Sequence, residues 1–371
     1  MSVLLSAKFV VDADGERTDA WMRIEGDRIE EVGEGSPPGE AVRADLLMPG
    51  FIDLHCHGGG GASFTSGDPG QIASAAAIHR AHGTTTMHAS LVTASYDDLV
   101  DQIRALIPFV DDGTFHGIHL EGPWISASYC GAHDPLLLRE PRADEIRRIL
   151  EAGEGRITMV TLAPELPGAL NAIRAILGHG AKVAIGHTAA DGDTARAAVD
   201  AGATVATHLF NAMPPLLHRD AGPVGVLLAD PRVTCEVIGD GVHLEPEVVA
   251  LALSAASGGG ALVTDAMSAA GAGDGDYRIG SLDVVVRDGV ARLRKGGSLA
   301  GSTLLMDSAV RRAVRLADRT LAQASAAASR APALAMGLVD RGRLSEGQRA
   351  DIVALDGELR VVRVMRAGVW A

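Results

Sequence analysis

Residues 1–45 alternate short apolar runs with Asp-Gly and Glu-Gly-Asp turns, as in KFVVDADGERTDAWMRIEGDRIEEVGEG. Such alternation, broken by residues that favour tight turns, predicts short β-strands. The last stretch, GQRADIVALDGELRVVRVMRAGVWA, has the same character. Two strand-rich ends predict one small β domain assembled from residues 1–48 and 343–371. Between them the period changes. Apolar runs at 46–57, 84–92, 117–121, 157–162, 182–187, 204–209, 234–238 and 261–265 predict strands. Most are separated by stretches of helical composition, such as DPGQIASAAAIHRAHG, SYDDLVDQIRALIPFV and DGDTARAAVDAGA. Strands alternating with helices predict parallel βα units. About eight units is the number that a (β/α)8 barrel needs to close, and 49–342 is the expected barrel. A doubly wound open sheet is the competing fold. Segment 277–297, YRIGSLDVVVRDGVARLRKGG, alternates around Asp288-Gly289 and predicts a β-hairpin inserted after the eighth strand. TLLMDSAVRRAVRLADRTLAQASAAASRAPALAMG then predicts closing helices.

The residues that end the strands decide between the two folds. They are His55 and His57, His88, His119 with Glu121, Glu165, His187, His208 with Asn211, Asp240 with His243, and Asp265. Any one of them could be a helix cap or a turn former. Together they need a common centre. A barrel brings the carboxyl ends of its strands to one mouth, where active sites lie, whereas an open sheet spreads them along an edge. His55 and His57 are also two apart on an extended run, so both imidazoles face the same way and Cys56 faces the other.

Histidines and carboxylates without a thiolate cluster suit zinc, iron, manganese or cobalt. Two adjacent cations need a bridging anion. A carboxylated lysine is one solution, but Lys182 opens its strand and so lies at the wrong end, and Lys8 and Lys295 fall outside the barrel strands. Glu121, which closes the third strand in GIHLEGP, is the remaining candidate.

Composition narrows the partners. A chain of 371 residues can bury one large core and one small one. A net charge of −14 denies it the basic face that nucleic acid requires, though one arginine can still hold a small anion. The start, MSVLLSAKFVVDADGE, has no basic segment followed by a signal-length apolar core. No apolar stretch reaches the ~18 residues of a membrane span. Cys56, Cys130 and Cys235 form an odd, sparse set, which points to a reducing compartment. The expectation is a cytoplasmic protein with neither nucleic acid nor membrane as partner.

The stretches PGFIDLHCHG, HLEGPW, GHT, THLFNAM, DGVH, TDAMSAAGAG, LAGS and GRLSEGQRADIVALD occur in this order along the chain. With them the chain resembles the amidohydrolase superfamily, and within it the group of N-acetylglucosamine-6-phosphate deacetylases. HLEGP followed by THLFNAM is specific to that group; GFIDLHCH indicates only the superfamily. The resemblance implies a (β/α)8 TIM-like metal-dependent hydrolase barrel with a small β-sandwich domain formed by both termini. It implies hydrolysis of the acetamide of N-acetyl-D-glucosamine 6-phosphate, with the galactosamine epimer or another amidohydrolase reaction as alternatives and a non-catalytic metal-stabilised scaffold as a rival. The missing strand-end lysine weighs against cyclic-amide hydrolysis.

Residue by residue, the resemblance makes Glu121, His187 and His208 ligands of a divalent metal, with zinc the expected ion. It makes His55 and His57 ligands of a second ion bridged by Glu121. Some members lack the His-x-His pair and use one metal; this chain keeps both histidines, so two ions per subunit are expected. Asp265 matches the catalytic, proton-transferring aspartate, which also touches metal. His133 matches a histidine beside the substrate carbonyl. His243 matches a contact to a sugar hydroxyl, Asn211 and the Ala212 backbone match phosphate contacts, and Arg219 matches an arginine that reaches the phosphate of the neighbouring subunit in a homodimer. The loop ISASYCGAHD departs from the group: Tyr129 and Cys130 stand where many members carry lysines, which leaves the loop's part in substrate binding open. Cys56 and Cys235 read as core, His79, His82, His116, His179 and His218 as surface or capping residues, and His88 and His119 as support for the ligands.

Overall fold

The computed structural model describes residues 2–371. Eight parallel strands lie side by side in chain order: Phe51–Asp53, Thr84–Val92, Gly117–Glu121, Ile157–Leu162, Lys182–Ile185, Val205–Ala206, Thr234–Ile238 and Gly260–Val263. This order excludes the doubly wound sheet, whose strand order reverses at a switch point. The first and eighth strands share no ladder. The ring closes just past their carboxyl ends, where the Asp265 amide donates to the His55 carbonyl at 2.8 Å and Cys56 bridges Ala266. The seam of the barrel therefore runs through residues of the expected site.

Helices cover the outside. Several of them begin where a side chain satisfies a free amide of the first turn. Asp68 caps Pro69–Ala81, Ser95 caps Tyr96–Asp111 and Asp191 caps Gly192–Asp200, each cap being worth about 1 kcal/mol. Their apolar faces, including Ile72, Leu99, Ile103 and Val199, pack on the outward side chains of the strands, such as Ile118, Leu120 and Val183, in one large core. No helix among the described residues is long and apolar enough to cross a membrane.

Both ends of the chain meet in a separate seven-stranded sheet, in the order Val369–Trp370, Val361–Arg366, Ile352–Leu355, Val42–Pro49, Ser2–Asp12, Gly15–Glu25, Arg28–Glu34. The join is antiparallel, with Ile352 opposite Pro49 and Leu355 opposite Leu46. Its own core gathers Leu5, Val10, Met22, Ile24, Leu47, Ile352 and Met365.

Two sequence expectations are corrected here. The apolar run 46–57 is not one strand. It divides at Gly50, so that Val42–Pro49 belongs to the terminal sheet and Phe51–Asp53 opens the barrel. Hydropathy cannot mark this division because both sides are buried; the mark is Gly50 itself, where a side chain would collide with Thr85. The segment predicted as a hairpin carries three antiparallel strands, Gly275–Ile279, Leu282–Arg287 and Val290–Leu293. The turn at Gly280, whose φ is +52°, adds the first of them.

Candidate active site

Glu121 sits at the centre of the barrel mouth, and its two oxygens face different neighbours. Oε1 lies 3.0 Å from His187 Nε2, 3.1 Å from His208 Nε2 and 3.4 Å from His55 Nε2. Oε2 lies 3.3 Å from His57 Nε2 and 3.3 Å from His133 Nε2. Asp265 Oδ1 lies 3.2 Å from His57 Nε2 and 3.6 Å from His55 Nε2. All seven side chains are buried.

Hydrogen bonds on the far side of each ring fix its proton. His57 Nδ1 donates to the Ser90 carbonyl at 3.1 Å, His187 Nδ1 to the Tyr129 carbonyl at 2.8 Å, and His55 Nδ1 to the Glu236 carboxylate at 3.1 Å. Each of these partners can only accept, so in the neutral rings Nε2 carries a lone pair. His133 is reversed. Its Nδ1 accepts the Thr93 amide at 3.3 Å, so its proton sits on Nε2 and points toward Glu121 and the cavity. Four imidazoles are therefore sorted by their partners into three lone pairs and one donor.

Two of the lone pairs are aimed at each other, with His55 Nε2 and His57 Nε2 3.0 Å apart. The third, on His187 Nε2, lies 3.0 Å from His208 Nε2, and His208 Nδ1 has no partner among the described residues to set its tautomer. Two facing lone pairs repel unless a positive charge lies between or beside them. The donor set therefore fits divalent cations: nitrogen and carboxylate oxygen, with no thiolate. The electrostatics of the cluster show the same need for positive charge. Burial by itself lowers His55, but the Glu121 and Asp265 carboxylates outweigh it and hold its pKa well above the ordinary histidine range. Burial by itself raises Asp265, but His55 and His57 bring it down to about 2. Glu121 is likewise held well below its ordinary value, by His55 and His133 against the effect of burial. His133, lowered to about 4 chiefly by burial, is a neutral donor across the physiological range.

Local sequence explains the convergence. His119 and Glu121 alternate with the outward Ile118 and Leu120 on the third strand. Residues 58–61 turn the chain away after His57. Gly60 and Gly61 have φ of +62° and +85°, and a side chain at Gly59 would meet Ile78 and the His79 ring. His187, His208, Phe210, Ala212 and Asp265 also have positive φ, at +48°, +26°, +75°, +52° and +47°. Backbone strain of this kind in non-glycine residues collects at functional sites.

Above the cluster opens a cavity of about 360 Å³, lined among others by Tyr129, His133, Asn211, Ala212, His243 and Asp265. His243 Nδ1 donates to Asp240 at 2.7 Å, which orients its ring. Arg219 lies on an exposed loop and does not line this cavity. The loop 125–133 folds over the mouth through its backbone, with the Ser126 amide on the His187 carbonyl at 2.8 Å. A larger groove, about 800 Å³, lies in the terminal sheet, but no histidine lines it, so the smaller cavity carries the chemistry.

Of the other expectations, His79 is corrected: it is fully buried, with Nε2 2.9 Å from the Gly58 carbonyl and 3.2 Å from Cys56 Sγ. Asp53, beside this pair, is pushed up to about 6 by burial and is occupied by the Thr264 hydroxyl and amide and the His55 amide. His119 stands edge-on to His55 and is hydrogen-bonded to Ser90 and Thr161, and Thr161 in turn to Thr207. His88 is bonded to the Leu54 carbonyl, next in the chain to His55, and to Thr158. Glu165 accepts from Thr188 and the Ala189 amide. The sequence reading missed Glu236, Ser90, Thr93, Thr161 and Thr207. For Glu236 a signal existed, a carboxylate in the middle of the apolar run TCEVI.

The closed barrel, its separate terminal sheet and the histidine–carboxylate cluster at the mouth define a class. Residues 46–371 match the Amidohydrolase family, and the chain belongs to that family. Among solved structures it is similar to N-acetyl-D-glucosamine-6-phosphate deacetylase from Mycobacterium smegmatis, with a TM-score of 0.96 and 45% identity over 100% of both chains. It is 37% identical over 379 residues, 100% of both proteins, to N-acetylgalactosamine-6-phosphate deacetylase from Escherichia coli O157:H7. It is 38% identical over 343 residues, 88% of this chain and 83% of the relative, to N-acetylglucosamine-6-phosphate deacetylase from Bos taurus.

Proposed function

We propose that the protein hydrolyses the acetamide of N-acetyl-D-glucosamine 6-phosphate, releasing D-glucosamine 6-phosphate and acetate. The observation that carries this reading is Glu121 lying within 3.4 Å of both imidazole pairs at the floor of a sugar-sized cavity. His187 and His208 with Glu121 would hold one divalent cation, and His55 and His57 with Glu121 and Asp265 a second. Zinc is the proposed ion, and iron, manganese and cobalt share its preference for these donors. When bound, such ions make water nucleophilic near neutral pH and polarise an amide carbonyl.

The chain's own groups do the rest. Asp265 takes the proton of the attacking water as its oxygen bonds to the acetyl carbon. His133 Nε2–H donates to the carbonyl oxygen as negative charge develops there. The carbon–nitrogen bond then breaks, Asp265 returns the proton to the nitrogen, and acetate and the amine leave. His243 would hold a sugar hydroxyl, and Asn211 and the Ala212 amide the phosphate. This remote grip orients the acetamide against the reacting groups. Arg219, beside the exposed Leu216 and Leu217, would reach the phosphate of a second copy in a homodimer, since it does not line its own cavity. The sparse free cysteines support a cytoplasmic setting.

Acetate release from N-acetylglucosamine 6-phosphate, its galactosamine epimer and unphosphorylated N-acetylglucosamine tests the proposal. The expected result is fast release from the first substrate and little from the third. The full-length likeness to the E. coli galactosamine enzyme makes the epimer the second reading. No acetate from either sugar phosphate would sink both.

A further inference from the structure

Glu236 lies in the middle of the seventh barrel strand and is fully buried. Its Oε2 accepts from His55 Nδ1 at 3.1 Å and from the His208 amide at 3.3 Å. Its Oε1 has no hydrogen-bond partner among the described residues, and no lysine or arginine pairs with the carboxylate there. A carboxylate kept out of water with so few donors is costly unless positive charge lies close by. A cation on the far side of the His55 ring, where Nε2 faces His57, Glu121 and Asp265, can supply such charge.

The acceptors behind the other rings are different. His57 and His187 donate to backbone carbonyls, which fix a proton without adding charge, and His208 Nδ1 has no partner among the described residues. Only His55 leans on a carboxylate. Such a partner orients the ring, sets its tautomer and makes its free nitrogen a stronger donor to a cation. Charge balance agrees. Two divalent cations bring four positive charges, and Glu121 and Asp265 cancel two. Glu236 cancels a third, leaving a single charge for an anionic ligand to meet.

We propose that Glu236 is the positioning residue of the cation held by His55 and His57: it fixes His55 with Nε2 free and supplies the negative charge that lets a second divalent ion sit beside the first. This rests on the two-cation reading of the site. Glu236 touches no substrate in this role and acts through His55.

Metal-free full-length protein titrated with Co²⁺ tests it, with stoichiometry and affinity read by metal analysis and chelator competition. The parent is expected to take up two ions per chain. Glu236→Gln keeps the acceptor but loses the charge and places an amide NH₂ where Oε1 has no partner. It should hold the first ion as tightly as the parent and the second roughly 10- to 100-fold more weakly. In a His55→Ala background the same substitution should leave affinity for the remaining ion unchanged. Glu236→Asp, with the charge kept and the acceptor withdrawn, should also weaken only the second ion, and it serves if Glu236→Gln does not fold. Second-ion affinity within about threefold of the parent's, or equal weakening of both ions, overturns the proposal. A parent that binds a single ion overturns the two-cation reading and this inference with it. A parent that binds two ions but releases no acetate overturns only the proposed substrate.

Discussion

The two imidazole pairs around Glu121 are held by different means. His55 and His57 sit two residues apart on an extended segment, so their shared direction follows from backbone geometry alone. Their rings are then locked from behind by Glu236 and the Ser90 carbonyl. His187 and His208 come from different strands, 21 residues apart. Each has a left-handed φ, +48° and +26°, which costs of order 1–3 kcal/mol per residue. His187 is fixed from behind by a loop carbonyl, that of Tyr129. One half of the site is thus set by local periodicity and the barrel interior, the other by strained turns and a loop that folds over the mouth.

The largest effect should come from the residue both halves share. Glu121→Gln removes the carboxylate that faces both pairs, so both ions should be lost and turnover should fall roughly a thousandfold or more. Metal content and acetate release measured on one sample check this; retention of both ions would show that the halves stand independently. Asp265→Asn separates chemistry from binding. Asparagine tolerates the left-handed φ of position 265, so the fold and most of the metal should survive, while kcat falls roughly 10²- to 10⁴-fold. Near-normal kcat in that variant would refute proton transfer by Asp265.

His133 touches Glu121 but is sorted as a donor by the Thr93 amide. His133→Ala should lower kcat by roughly 10²- to 10³-fold with both ions still bound. Loss of an ion instead would make His133 a ligand and redraw the boundary between the halves. The smallest effect concerns the loop. Tyr129 serves His187 through its carbonyl, so Tyr129→Phe should leave metal affinity within about twofold. A larger loss would mean that the side chain, not the backbone, supports this half.

Much of this was legible in the chain. The eight-unit alternation, the polar strand ends and the His55–Cys56–His57 spacing follow from periods of two and from helix composition, which act over a few residues. The caps Asp68, Ser95 and Asp191 are equally local. The division between two sheets at Gly50 is invisible to hydropathy, which reports burial and not which core buries a residue. His79 read as a surface residue because a helix can turn one polar side chain inward to a backbone carbonyl, and nothing in IHRAHG marks that choice. Glu236 was passed over because its meaning depends on His55, 181 positions away.

The sequence by itself determined the repeating βα architecture, the β-rich ends and the supply of imidazoles and carboxylates at one end of the strands, because periodicity and strand direction are local properties. Only the tertiary structure decided which of those groups meet, which nitrogen of each ring stays free and which buried acid stands behind His55. Those outcomes depend on distances across a closed ring, where the seam joins residue 55 to residue 265 and a hydrogen bond's partner can lie anywhere along the chain.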